Sequence, residues 1–358
     1  MDAKERLFFK PFEDKETLVK TRKDVFKRGY DTGFKCLDNI ASFLKSYLTL
    51  VYSPPAVGKS TISMDILMAQ AEMGRNIIIY SPEYRDRKEL FNALIQCRLK
   101  KTFFGKHGES ITDEEYITAL QFVSDHFVII IKPKRNKDNT QDKMSVKKIF
   151  SEVKKASDYY NMKFDFLFID PFNYVEKDKE EKFMDTQDYV LNFYDQVAEY
   201  SGLLKLHTII SAHTRDVDLT TDKETGITYY PVLHPSTIMG GQSNYRAGFQ
   251  ILHYWRAPAG VMNQNLGSPY PENYNIIFNQ KTKPYGTGKI GSTADNMNEQ
   301  GLYFDPDTYT MYEIIDGKKY YRNEWYNKNK QAGEGPSSND SAIKPNLNFG
   351  TEIESAPF

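Results

Sequence analysis

The stretch Val51-Tyr52-Ser53-Pro54-Pro55-Ala56-Val57-Gly58-Lys59-Ser60-Thr61 decides the fold of this chain. It follows an apolar run, Tyr47 to Tyr52, that reads as a buried strand, and it opens an amphipathic segment ending near Gly74. A strand that turns into a helix at such a point is the setting of a phosphate loop. Backbone N–H groups of the loop converge on a polyphosphate, and the helix N-terminus adds positive potential. A Lys reaches the terminal phosphates and a Ser/Thr hydroxyl completes a Mg²⁺ shell. Ser53, Pro54, Pro55, Ala56, Val57, Gly58, Lys59, Ser60 and Thr61 are therefore the expected nucleotide-binding loop, with Lys59 and Ser60 in the last two roles. Ser53 stands where the G-x-x-x-x-G-K-[ST] pattern begins with Gly, and two prolines fix φ at the start of the turn. An ordinary helix cap at Gly58-Lys59-Ser60 is the bland alternative; the order of strand, loop and helix weighs against it.

Outward from the loop, strands alternate with helices. Asn76–Ser81, Phe127–Ile131, Phe164–Asp170 and His207–Ala212 read as buried strands, each nearly all apolar. Between them Leu90, Ala93, Leu94 and Cys97 recur at helical spacing, Thr112 to Glu115 forms a capping-box pattern, and Val146, Ile149, Phe150 and Val153 mark another amphipathic helix. Such alternation indicates an α/β protein with a parallel sheet covered on both faces. Beyond His213 the pattern changes to a polar segment reaching about Ser243. Strands follow at Phe249–Trp255 and Tyr274–Gln280, with a Gly-rich turn at Gly286–Gly291. Short connections there predict that the sheet continues with antiparallel strands.

Composition narrows the function classes. Acidic and basic residues nearly cancel, for a net charge of -1 over 358 residues, so any nucleic-acid contact must come from local loops or an assembled channel. Cys36 and Cys97 lie far apart without metal or redox spacing, which fits reduced core thiols. No apolar run approaches the ~20 residues of a membrane span, and the start lacks signal architecture. A soluble, cytoplasmic protein with no membrane partner is expected. Residues 1–29 read as a charged helix and linker arm, 30–326 as the core, and 327–358, rich in Asn, Lys, Gly, Ser and Pro, as a disordered tail.

Several positions carry chemistry. Asp170 ends an apolar strand, the edge of an open parallel sheet where ligands bind, and there it can hold Mg²⁺, directly or through water, opposite Ser60; a strand ending in Asp is common by itself, and the phosphate loop is what favours this reading. Glu83 follows the second strand; if that strand lies beside the phosphate-loop strand, its carboxylate faces the γ-phosphate and polarises the attacking water. His213 ends the fifth strand, where a neutral imidazole can bond the γ-phosphate and report hydrolysis to the loop that follows. Lys281 and Lys283 flank Thr282 on an extended segment, so two cations can face one anion, as a charge-neutralising finger offered to a neighbouring subunit would; a solvated basic turn is the alternative.

Together these residues resemble the RecA-fold core of hexameric replicative helicases of the DnaB and Twinkle type, superfamily 4. The carriers are Thr32-Gly33-Phe34 with Leu37-Asp38, Ser53 to Ser60, Ser81-Pro82-Glu83-Tyr84, Ile169-Asp170-Pro171, and Ile210 to Arg215. Met239-Gly240-Gly241-Gln242-Ser243 through Arg256 resembles the family's G-S-G-A-I…L-Y-R segment in degenerate form, with Gln242 for a Gly and Tyr245 and Phe249 for acids, and Lys281-Thr282-Lys283 resembles its K-x-R finger pair, with Lys for Arg. The resemblance covers roughly residues 30 to 305. It implies a RecA-like P-loop NTPase with a mostly parallel central sheet flanked by helices and antiparallel C-terminal strands. It also implies ATP or another NTP with Mg²⁺, Glu83 as catalytic base, and a homo-oligomer, usually a hexamer. Single-stranded DNA is the implied track in a central pore, unwound 5′-to-3′ and contacted within about 214–246 by Lys223, Arg246 and the backbone at Gly240 and Gly241.

No primase-like or helical domain precedes the core, so a stand-alone motor or half of a split primase–helicase system is expected, with a primase or single-stranded DNA-binding protein as partner. A filament-forming recombinase or mediator ATPase and a nucleotide-sensing scaffold are the other classes. The end, Gly350 to Phe358, is acidic with a terminal Phe and resembles the partner-docking tips of single-stranded DNA-binding proteins, the alternative being an inert disordered end.

Overall fold

The computed structural model describes residues 10–21, 28–84, 86–105, 108–132, 144–263, 267–284, 286–294 and 299–331. Most of the expected tail, the acidic end, and most of the polar loop at Lys132–Asp142 lie outside them. So do residues 1–9 and 22–27 of the expected arm; of the rest, Lys15–Thr21 is helical (α1).

Six strands form the parallel part of one sheet: β1 (Leu48–Ser53), β2 (Ile77–Tyr80), β3 (Phe127–Ile130), β4 (Phe166–Ile169), β5 (His207–His213) and β6 (Gln250–Arg256). Four more, β7 (Tyr274–Lys281), β8 (Glu299–Asp305), β9 (Thr310–Ile315) and β10 (Lys318–Tyr321), extend it antiparallel. The order across the sheet is β10-β9-β8-β7-β6-β1-β5-β4-β2-β3, and the two-residue strand Gly291–Ser292 pairs with β7. The helices are α2 (Lys35–Asp38), α3 (Lys59–Glu72), α4 (Arg87–Leu99), α5 (Asp113–His126), α6 (Val146–Tyr160), α7 (Thr186–Leu204), α8 (Gln242–Ala247) and α9 (Glu324–Gln331).

Alternation along each parallel strand splits the core into two layers. Val51, Ile77, Ile79, Phe166, Phe168 and Ile209 pack with α3, α4 and α5 on one face. Leu50, Tyr52, Ile78, Leu167 and Ile210 pack with α6 and α7 on the other. Burial on both faces is why these strands read as unbroken apolar runs. Thr112 and Glu115 close the capping box of α5 from both sides. Gly74, at φ +80°, takes the left-handed position just past α3.

One strand departs from expectation. β6 is parallel to β1, not antiparallel, and only from β7 onward do strands alternate in direction. A parallel neighbour needs a crossover of at least a dozen residues, and residues 214–249, with α8, provide one. The chain thus places β5 on one side of β1 and β6 on the other. That reversal beside β1 makes a crevice at the carboxyl ends of these strands.

The Thr32 to Asp38 stretch is structural cement. Gly33 sits at φ +98° with Ala69 of α3 so near that a Cβ would come within 2.4 Å of its methyl, so no side chain fits. Glu313 of β9 accepts from the Lys35 and Cys36 N–H groups at 2.9 Å each, capping α2. Asp38 accepts from the Thr32 N–H and from the Tyr326 hydroxyl, both at 2.5 Å; burial pushes its carboxyl up to about 7. Helix α9 is packed by these contacts and runs past position 327, where composition places the start of the tail. The buried guanidinium of Arg322 bonds Asp65 at 2.8 Å and Glu72 at 3.0 Å, both on α3, and the Cys97 carbonyl at 2.7 Å.

His207, in β5, is buried between the Leu44 carbonyl at 2.7 Å and the Thr49 hydroxyl at 3.0 Å. Burial pushes its imidazole down to about 4, from an ordinary value of 6.5. The native state holds it neutral while the unfolded chain takes a proton below 6.5, so its contribution is present at neutral pH and is lost as pH falls through that window. The unfolding free energy of wild type relative to His207→Gln is expected to shrink by about 3 kcal/mol between pH 7 and 4. Denaturant titrations at stepped pH check this; a constant difference would refute it.

Candidate nucleotide site

The phosphate-loop segment leaves β1 at its carboxyl end. Ser53 is buried and its hydroxyl donates to the Pro54 carbonyl at 2.9 Å, so a side chain supplies the turn where Gly is usual. Ala56 at φ +61° and Gly58 at φ +92° turn the chain into α3, which begins at Lys59. At Gly58 space is open, so the left-handed conformation, not crowding, favours glycine. Ser60 and Thr61 lie in the first turn of α3, where unpaired N–H groups and the helix dipole face an anion. Val57 is buried and anchors the loop to the core.

Lys59 is only 6% exposed, and its ammonium lies 3.2 Å from Asp170 Oδ1 and donates to the Ser211 hydroxyl at 2.8 Å. Ser211 also donates to Asp170. Asp170 directly follows β4 and is 1% exposed; Ser211 lies on β5, in register with Val51. Sequence reading missed Ser211. It stands two residues before His213, so strand alternation puts both on one face, the signal that would have found it.

His213 Nε2 lies 2.8 Å from Glu83 Oε1, and the His213 N–H donates to Asn173 Oδ1 at 3.0 Å. The premise offered for Glu83 does not hold: β2 is separated from β1 by β4 and β5. Glu83 reaches the site because β5, whose His213 is in register with Ser53, lies beside β1.

The lysine pair lies elsewhere. Because β7 runs antiparallel, Lys281 is in register with Ile251, near the amino end of β6, whereas the loop leaves β1 beyond Ser53. Three residues of strand separate those levels by about 10 Å, and β6 intervenes. Nor are the two lysines presented alike. The Lys281 ammonium donates to the Tyr245 and Arg246 carbonyls at the end of α8, the latter at 2.9 Å, and burial then Lys283 push it below its usual value. Lys283 is exposed.

Lys223 is exposed in the hairpin joining Thr220–Thr221 to Thr228–Tyr229, apart from Gly240 and Gly241, which open α8, and Arg246, exposed in its last turn. A Cβ on Gly240 would come within 2.5 Å of Val190, so packing alone explains that glycine.

The donor set fits Mg²⁺: the Ser60 hydroxyl and the Asp170 carboxylate are hard oxygen ligands, and this ion takes one or two from protein with phosphate oxygens and water completing the shell. The buried Ser81 hydroxyl, directly after β2, has no protein partner among the described residues, as suits a group bonded to water. Among the described residues no helix is long and apolar enough to cross a membrane.

No family model and no curated protein sequence matches the chain. Solved structures do. A DnaB-like replicative helicase, solved in work on its interactions with primase, superposes on 85% of this chain and 67% of its own at 14% identity and a TM-score of 0.58. The ATPase domain of a phage helicase superposes on 83% of this chain and 97% of its own, at 14% identity and a TM-score of 0.59. A RadB recombinase aligns with 78% of this chain at 15% identity, but its TM-score of 0.43 is too low to bear on function. At these identities the likeness is one of fold, and the fold is a RecA-like core of the DnaB-like kind.

Proposed function

We propose, from the fold this chain shares with DnaB-like helicase cores, that it is a ring-forming, Mg²⁺- and NTP-dependent DNA helicase translocating 5′-to-3′ on single-stranded DNA. The observation that carries the reading is the split between two half-sites. Lys59, Ser60, Asp170, Glu83 and His213 gather at the carboxyl edge of the sheet, whereas Lys283 sits lower and across β6. Lys283 would therefore meet a phosphate only in another copy, so a complete site lies between subunits.

In this reading Lys59 leaves Asp170 and Ser211 for the terminal phosphates. Ser60 and Asp170 would hold Mg²⁺, which when bound would supply neutralisation of charge on the phosphoryl oxygens. Glu83 orients the attacking water, and His213, joined to it, passes the state of the γ-phosphate to residues 214–246. Lys223, Arg246 and the Gly240–Gly241 backbone are the DNA contacts, as phosphate ligands. The unit is a cytoplasmic motor whose core runs from residue 30 through the end of α9 at Gln331, with an arm before it and a tail after it; a primase or single-stranded DNA-binding protein is the partner class.

Glu83→Gln is expected to bind nucleotide and DNA with little change while turnover falls by about 10² or more. Full turnover by that variant would remove Glu83 from the mechanism. ATPase assays with and without single-stranded DNA, beside unwinding of a forked duplex, test the whole reading. Stimulation with unwinding supports it. Negative-stain images showing helical filaments and no closed rings would favour a recombinase instead.

A further inference from the structure

Between the nucleotide loop and the segment 215–241 lies a polar cluster, buried at Tyr52, Leu233 and His253 and half-buried at Gln280, that none of the roles above uses. Leu233 is gripped at both ends of its backbone. Its carbonyl accepts from the Tyr52 hydroxyl and from Gln280 Nε2, each at 2.6 Å, and its N–H donates to His253 Nε2 at 3.1 Å. The Tyr52 hydroxyl is also within hydrogen-bond reach of Gln280 Oε1, and the His253 ring stacks on Tyr52 with centroids 4.6 Å apart. Because Nε2 accepts, Nδ1 carries the proton and faces the Tyr52 carbonyl at 3.3 Å.

Each member stands next to a functional segment. Tyr52 immediately precedes Ser53, where the phosphate loop leaves β1. Gln280 immediately precedes Lys281, whose ammonium holds the last turn of α8. Leu233 lies on the segment itself, whose base is closed where the Arg215 N–H and guanidinium donate to the Thr237 and Ser236 carbonyls at 2.7 Å each. A close-packed cluster of this kind does not deform smoothly. A displacement of β1 at Ser53 must carry Leu233 with it or break one of its bonds.

We propose that the Leu233 clamp is the joint through which the nucleotide loop and the segment 215–241 respond to one another, with Gln280 and Tyr52 as positioning residues. The inference rests on the reading of that segment as the DNA contact. It differs from signalling through His213, because the clamp grips the far end of the segment and engages β6 and β7 as well as β1.

The test uses the full chain and the isostere Gln280→Met, which keeps the shape and loses the hydrogen bond to Leu233 and the polar contact to Tyr52. Single-stranded DNA should raise wild-type turnover, whereas in Gln280→Met that stimulation should fall about 10-fold, with unstimulated turnover and KM for ATP within about 2-fold. Hydrogen exchange should show residues 228–238 gaining protection with Mg²⁺ and a non-hydrolysable ATP analogue in wild type and not in the variant. Equal loss of both turnovers, with no change in their ratio, would make the cluster merely structural and overturn the inference. Should Gln280→Met fail to fold, Tyr52→Phe, which removes one oxygen atom, carries the same test. Wild-type stimulation retained in full by the variant overturns the joint alone. Absence of stimulation in wild type overturns the DNA reading and the joint with it.

Discussion

Replacing Lys283 by Ala is expected to lower nucleotide hydrolysis by about 10³, with nucleotide affinity little changed. A finger charge supplied across an interface acts on charge developing in the transition state; Lys acts as a point charge without the bidentate fork of Arg, which puts the effect at the low end of the range known for such fingers. The decisive measurement is complementation. Lys59→Ala alone should also be inactive, since it removes the ammonium that meets the phosphates. In an equal mixture, a site with its own Lys59 and a neighbour carrying Lys283 forms at about one quarter of random interfaces, so roughly that share of activity should return. Were the mixture to stay inactive while both variants assemble, Lys283 would act within its own subunit. That outcome would contradict the separation between Lys283, two residues past Lys281 at the level of Ile251 and Leu50, and the loop beyond Ser53.

The second large effect concerns stability. Arg322→Met is expected to destabilise the fold by about 3–5 kcal/mol, because it leaves Asp65 buried without its cation. Burial already pushes the Asp65 carboxyl up, and Arg322 opposes that push. Adding Asp65→Asn should recover at least about 1 kcal/mol, since the amide oxygen can still accept from the Met311 N–H, now 2.6 Å from Asp65 Oδ2, and no charge is left unpaired at that position. Equilibrium unfolding of the single and double variants measures this. Arg322→Met with wild-type stability would show that the guanidinium contributes nothing net.

What could be read from the sequence follows from how local each signal is. The run from Tyr47 to Gly74 declares strand, loop and helix by its own periodicity, and Asp170 and His213 stand at strand ends marked by apolar runs. Strand direction is not local. The apolar pattern of β6 is the same whether it runs with β1 or against it, and only the length of residues 214–249 distinguishes the two. Adjacency is not local either, which is why the neighbour expected for the strand before Glu83 is the wrong one. Arg322 gives no signal at all: a lone basic residue after a Tyr-rich strand looks solvent-facing, and Asp65 looks like a polar position on a helix. The lysine pair is legible as alternate positions on an extended segment, but not the capture of Lys281 by α8, which depends on a turn formed elsewhere.

The pairing of Asp65 with Arg322 joins residues 257 positions apart. A ribosome adding about 5–20 residues per second takes tens of seconds to cover that distance. Through that interval the helix carrying Lys59 has emerged while the cation that neutralises its inward acid has not been made. The amino-terminal half of the sheet is therefore about 3–5 kcal/mol less stable while the chain is being made than after its closing stretch has joined it.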